Sequence, residues 1–321
     1  MDKQTEINSL HEYLHLIEKI EIRSICKSLG DHLMFRGTSN FNWRLIPSYE
    51  RIKDKFLSSG TGEYERGTDF YYSHLNGSRD ELNILEEFQR TAIGYLPNDV
   101  SNNWLLLLQY AQHFGVPTRL LDFTTNPLVA LYFACKENSD DCAKITIIHN
   151  RLYEDWLAKP KYFNPTIKTA SKYFDDAHCY CQKSSEDNII SIIKDIKNCN
   201  SSTDKILLPE IYRPHLLDQR MIAQNSIFLI WGSLNYSFDY ITQNASDSKS
   251  VIMGNFELGK DENYDSTEKG FLIEFFINSD RKSILLKELD VCGINEKSIF
   301  PGLDGIGKYI QTKYINHSED S

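Results

Sequence analysis

The run LLLLQYAQHFGVPTRLLDFTTNPLVALYFAC, Leu105 to Cys135, decides how the rest of the chain is read. Its opening leucines, Leu105 to Leu108, are too few to span a bilayer and suit a buried helix. Gly115 supplies a helix C-cap, and Pro117 just beyond it forbids continuation. Thr118 to Thr125 reads as a short polar-rimmed strand, and Asn126-Pro127 as the N-cap and first turn of a second helix. Leu128, Leu131, Tyr132 and Cys135 recur at i, i+3, i+4 and i+7, which predicts one apolar face on that helix. The polar groups His113, Thr118, Arg119, Asp122, Thr124 and Thr125 fall at the joints, where scaffolds present chemistry. Singly, each has a plain structural reading. Asp122 can cap a turn, Arg119 can pair with it, and His113 can be a satisfied core histidine. Together, between two strongly apolar helices, they need a reason to be buried.

Outward from this stretch, Ile7 to Leu29 carries helical spacing up to Gly30. His32 to Phe35 reads as a short strand that delivers Arg36, Gly37 and Thr38 at its end. An arginine there suits an anion, because guanidinium forks onto phosphate and glycine lets backbone approach a ligand. Residues 51–77 read as an irregular surface segment, and Ser78 to Glu81 as a capping box opening a helix through Leu82, Leu85, Phe88 and Ala92. Lys144–Ile148 and Ile227–Trp231 read as strands, as does Phe271–Ile277. Ile284–Leu289 lies on a helix ending at Gly293, and Phe300 to Gly305 is a turn before a last helix. From about 150 to 205 the composition shifts to Lys, Asp, Ser, Asn and Tyr, as expected of a polar insertion; 233–268 is also loop-rich. The order favours an α+β domain with a mixed sheet, one domain over 1–321 with an N-terminal helix at 6–29.

The chain has 321 residues, 41% hydrophobic, with a formal net charge of -10. That balance argues against a surface coated for duplex DNA but leaves room for a local basic groove. No run reaches transmembrane length, and the charged start MDKQTEIN is unlike a signal peptide. The 7 irregularly spaced cysteines fit a reduced, cytoplasmic protein with no membrane contact. His178-Cys179-Tyr180-Cys181 has no second pair at ligand spacing, so no metal is expected.

Phe35-Arg36-Gly37 gives the FRG domain family its name, and this chain resembles that family in several further pieces. They are Gln112 to Thr124 with Asn126-Pro127, Ala130 to Ala134, Arg220 to Gln224, and Phe300 to Gly305, all in family order. The glycine usual after the glutamine stands here as Asn225-Ser226. FRG domains in turn are similar to a divergent ADP-ribosyltransferase fold. The resemblance therefore implies an ADP-ribosyltransferase-like mixed sheet with flanking helices, and NAD as substrate. It implies Arg36 on the pyrophosphate, Thr124 on ribose or amide, and Gln224, where glutamate is usual, on a ribose hydroxyl. Where the acceptor needs deprotonation, Asp122 is the first candidate base and His113 the second. Gly37, Thr38, His113, Thr118, Arg119 and Tyr132 are expected to bind NAD. The activity implied is a toxin or phage-defence effector that modifies RNA, or failing that protein, and is held in check by an antitoxin. Trp43, Tyr49, Tyr110 and Tyr132 are expected stacking faces for an unpaired base, with Arg44, Arg119 and Arg220 as a basic lining. A non-catalytic recognition module and a metal-independent hydrolase or nuclease are the alternatives.

Overall fold

The computed structural model describes residues 5–23, 33–52, 81, 83–101, 103–157, 209–216, 218–231, 238 and 270–319. Of the expected irregular segments, 51–77 lies outside them from 53 on, its first two residues being helical, and 233–268 lies outside apart from Phe238; so do the capping residues Ser78 to Asp80, the His178–Cys181 cluster and most of the polar insertion.

One seven-stranded sheet organises the chain, in the order β1-β7-β4-β2-β3-β6-β5. The strands are β1 (Thr5–Glu6), β2 (Leu33–Thr38), β3 (Leu120–Thr124), β4 (Ala143–His149), β5 (Glu210–Tyr212), β6 (Ser226–Ile230) and β7 (Leu272–Ile277). The helices are α1 (Leu10–Arg23), α2 (Asn98–Ser101), α3 (Trp104–His113), α4 (Pro127–Cys135), α5 (Asn150–Leu157), α6 (Gln219–Ala223), α7 (Ser279–Val291), α8 (Glu296–Ile299) and α9 (Leu303–Glu319); residues 83–92 are also helical. All strand pairs are antiparallel except β1 with β7, so the sheet is mixed and the fold combines helices with it as expected.

Alternation along the strands sorts the core into layers. Phe35, Ile145, Ile147 and Phe275 face α1, α4 and α7. Leu120, Phe228, Ile230 and Tyr212 continue the same face of the sheet but pack under α3, through Leu105, Leu108 and Ala111. Met34, Phe123, Ile148 and Leu229 point the other way, to Tyr153, Phe238 and Phe271. Thus α3 and α4, the two helices of the opening stretch, sit side by side over one face.

Their joint follows the sequence closely. Gly115 has φ +80, with Gly115 N–H bonded to Gln112 O and Val116 N–H to Ala111 O, a Schellman stop. Asn126 caps α4 by accepting from Leu128 N–H at 2.9 Å.

Several expectations need correction. α4 is buried nearly all round, at Val129, Ala130 and Ala134 as well as Leu131 and Cys135, because it is wedged between the sheet and α7. Thr5–Glu6 pairs with β7 instead of leading into helix, so α1 starts only at Leu10. Asn150 opens α5, which buries Tyr153, and the polar composition beginning there therefore hides a core helix. Arg36, Gly37 and Thr38 lie within β2, opposite Thr146, Ile145 and Lys144, not after its end.

Candidate active site

β2 pairs with β4 along its whole length, and β3 with β6 likewise. Between β2 and β3 only Phe35 and Thr124 are in register. Past that point the ladder stops, and Arg36 fills the seam by donating from Nη1 to the carbonyl of Asp122 at 2.5 Å. A cavity of about 290 Å³ lies over this seam, between α3 and α4. Arg36, Gly37, Thr38, His113, Asp122, Thr124 and Gln224, all expected from sequence, line it together.

Arg36 is the cation at its base. Its Nε is buried with no partner among the described residues, which leaves that donor unused. Burial, and to a lesser degree Arg51, pulls its pKa down to about 10, against the opposing pull of Asp122. No carboxylate salt bridge offsets that desolvation among the described residues. A guanidinium kept this way is poised for an anionic ligand.

Asp122 is the one exposed residue of β3. Its Oδ2 accepts from Gln112 Nε2 at 2.8 Å, and Gln112 Oε1 accepts from the buried Thr118 hydroxyl at 2.6 Å. Leu120 N–H in turn donates to Thr118 Oγ1, so the glutamine amide has only one workable orientation. Thr118 therefore does not face the cavity; it orients the residue that orients Asp122. Gln112, which sequence reasoning did not single out, is the link.

Thr124 donates to the carbonyl of Gln224 at 2.6 Å and accepts from Asn126 N–H at 3.0 Å. Gln224 caps the end of α6, and its Nε2 donates to Ile299 O at 3.2 Å, leaving Oε1 for a ligand. Asn225 follows with φ +46, the left-handed conformation a glycine would take and asparagine tolerates. The turn is thus kept although the usual glycine is missing.

Gly37 has a different role from the expected one. A Cβ there would meet Ala130 O at 1.9 Å and Ala134 N at 2.6 Å, so the glycine admits α4, not a ligand. Thr38 lines the cavity but is buried, with its hydroxyl near Lys144 O at 3.4 Å.

Arg119 and Tyr132 are corrections. The Arg119 guanidinium is buried against Glu81, donating from Nε at 2.9 Å, and also reaches Trp231 O. The cavity lining does not include it. Tyr132 points away to α8, where its hydroxyl donates to Glu296, which also binds Lys136 at 3.1 Å. Of the four expected stacking rings only Trp43 lines the cavity, 47% exposed; Tyr49 and Tyr132 are buried and Tyr110 packs on Phe114. Of the expected basic lining only Arg220 is present, over the Phe300 ring at 4.9 Å. Lys136, unexpected, lies over the same ring at 4.2 Å and gives the rim a further cation. Phe300 therefore backs both cations, a role for the C-terminal turn that no local pattern could reveal.

His113 ends α3, with Nδ1 3.2 Å from Asp218 Oδ2. Burial lowers its pKa, Asp218 opposes that shift, and Arg220 adds to it.

No helix among the described residues is long and apolar enough to cross a membrane. Neither a curated protein nor a solved structure gives a match to the chain. Residues 31–142 match the family model of the FRG domain, which covers Arg36, Gln112, His113, Asp122 and Thr124 and supports the FRG reading of those motifs.

Proposed function

We propose that the chain is an NAD-dependent ADP-ribosyltransferase that transfers ADP-ribose to a macromolecular acceptor, RNA before protein. The observation that carries this reading is the convergence of Arg36, Thr124 and Gln224, from separate strands and a helix end, on one cavity at the β2–β3 seam. The volume is near the lower end of the ~300–1,000 Å³ typical of ligand sites, enough for the nicotinamide–ribose end of a dinucleotide.

Cleaving the bond between nicotinamide and ribose passes through an oxocarbenium-like state. Such a reaction asks for a clamp on the phosphates, fixed hydroxyl and amide contacts, and negative charge near the sugar. Arg36, whose guanidinium lines the cavity, supplies the clamp, and Gln224 Oε1 accepts from a ribose hydroxyl. The Asp122 carboxylate, fixed by Gln112, faces the sugar whose positive charge grows. Val129 and Phe228 give the ring an apolar wall. Gln224 is an amide and takes no proton, so it does not activate the acceptor.

Trp43 at the rim, with Arg220 and Lys136, suits an unpaired base and its phosphate, which favours RNA over protein. We extend the reading to a toxin or defence effector that requires a neutralising partner. The test is to incubate the purified protein with labelled NAD and, separately, total cellular RNA and total cellular protein. Label on RNA is expected. Label on protein alone sinks the RNA assignment, and NAD binding without any label points to a recognition module.

A further inference from the structure

Asp218 stands just outside the cavity at the N-cap of α6, and both of its carboxylate oxygens are committed. Oδ1 accepts from Met221 N–H at 2.9 Å and holds the start of the helix. Oδ2 lies 3.2 Å from His113 Nδ1. An ionised carboxylate only accepts, so Asp218 beside Nδ1 favours the tautomer with the proton on that nitrogen. The other ring nitrogen, Nε2, then keeps its lone pair and has no partner among the described residues. Phe114 packs edge-on against the imidazole at 4.9 Å and 88°, which limits its tilt. His113 lines the cavity, and the pair is partly shielded, with side chains 21% and 35% exposed.

A carboxylate behind an imidazole, with the far nitrogen free beside a ligand cavity, is a general-base arrangement. We propose that His113 is the base that takes the proton of an attacking acceptor hydroxyl, and that Asp218 is the positioning residue that sets its tautomer. The inference rests on the transferase reading. As the acceptor oxygen bonds to ribose C1′, the bond from C1′ to nicotinamide breaks and its electron pair leaves with neutral nicotinamide. The hydroxyl proton passes to His113 Nε2. A hydroxyl is an acceptor that must lose a proton as it attacks, and RNA carries one on every ribose.

The charged groups facing His113 are Asp218 at the start of α6, Arg220 within it, and Asp122 across the cavity on β3. The imidazole titrates below its ordinary value of about 6.5, so it is neutral and competent at pH 7. Base efficiency is greatest for a group titrating near working pH, which favours this imidazole over an ordinary carboxylate.

The experiment is nicotinamide release from NAD in single turnover with total cellular RNA, across pH 4.5 to 8, for the parent protein, His113→Gln and Asp218→Asn. Asparagine caps a helix as well as aspartate, so Asp218→Asn retains the fold. The parent rate should rise with pH and level off below about pH 6.5. His113→Gln should lose roughly a hundred- to ten-thousand-fold and show no acid limb. Asp218→Asn should lower the maximal single-turnover rate with little change in the NAD concentration that half-saturates it. Its acid limb should move to lower pH, because the charge favouring imidazolium is gone. An active parent whose variants keep its rate and acid limb overturns this inference alone. A parent that releases no nicotinamide overturns the transferase reading, and this inference with it.

Discussion

Arg36 and Arg119 look alike in sequence, each an arginine beside a turn and a hydroxyl, and both read as anion binders. The fold separates them. Arg119 is closed off by Glu81, 38 residues away, at distances no local pattern encodes. Arg36 has a backbone carbonyl and an unused donor. Their substitutions should therefore diverge. Arg119→Ala strands the buried Glu81 carboxylate and should cost about 3–5 kcal/mol, read by urea denaturation. Arg36→Met removes a desolvated charge that the nearby Asp122 offsets only in part, so stability should hold or rise by ~1 kcal/mol while NAD turnover is lost. A melting temperature for Arg36→Met well below the parent's would place Arg36 in the scaffold instead. Gln112→Ala is a subtler case. It frees Asp122 without removing it, and should lower turnover by about ten-fold or more with the fold retained. In an Asp122→Asn background the same change should add little, and full additivity in that cycle would break the link.

At the scale of elements, the stops and starts were the most legible parts. Gly115 with Pro117, Asn126-Pro127, and Gly293 each mark a real boundary, because caps are local chemistry. The single apolar face expected on α4 was not right, since periodicity cannot tell a half-buried helix from one covered by a sheet and a second helix. β1 was invisible because two residues, Thr5 and Glu6, become a strand only by joining β7 in parallel, far along the chain. Gly37 allows the close contact of β2 with α4. A methyl there meets backbone rather than a yielding side chain. Gly37→Ala should destabilise the protein by about 3 kcal/mol or more and distort the cavity whose floor is β2 and whose wall is α4. Parent-like stability in equilibrium unfolding would show that α4 can slide. Lys282 holds the loop after α4, donating to the carbonyls of Ser39, Glu137 and Asn138 at 2.7–2.9 Å. Lys282→Met leaves those carbonyls bare and should cost about 3 kcal/mol, an effect a thermal melt would detect.

For the molecule as a whole, the decisive feature is a continuous sheet whose ladder fails at one seam. The motifs that meet there, from Phe35-Arg36-Gly37 to Gln224, were legible as fragments, and their convergence was expected from family resemblance rather than from spacing. What closed the site from behind was not legible: Asp218 on His113, Phe300 under Arg220 and Lys136, and Ile299 on Gln224. These contacts join segments far apart in sequence. The net charge of -10 also bears on the proposed RNA acceptor, for which the basic rim of the cavity is the binding surface among the described residues. Raising salt from 50 to 200 mM should therefore suppress label transfer to RNA several-fold, and RNA-dependent nicotinamide release with it, while leaving NAD binding little changed. Equal weakening of NAD binding would mean that salt acts on the NAD site itself.

The claim underneath all of this is that the cavity at the β2–β3 seam breaks the nicotinamide–ribose bond of NAD, with Arg36 as its clamp. Release of nicotinamide from labelled NAD in the presence of cell extract tests it most directly, with the parent protein and Arg36→Ala compared at equal concentration. The account predicts release by the parent and a loss of roughly thirty- to a thousand-fold in the variant, equivalent to about 2–4 kcal/mol of transition-state stabilisation, with both proteins folded. No release by the folded parent, or parent-like release by Arg36→Ala, would contradict it.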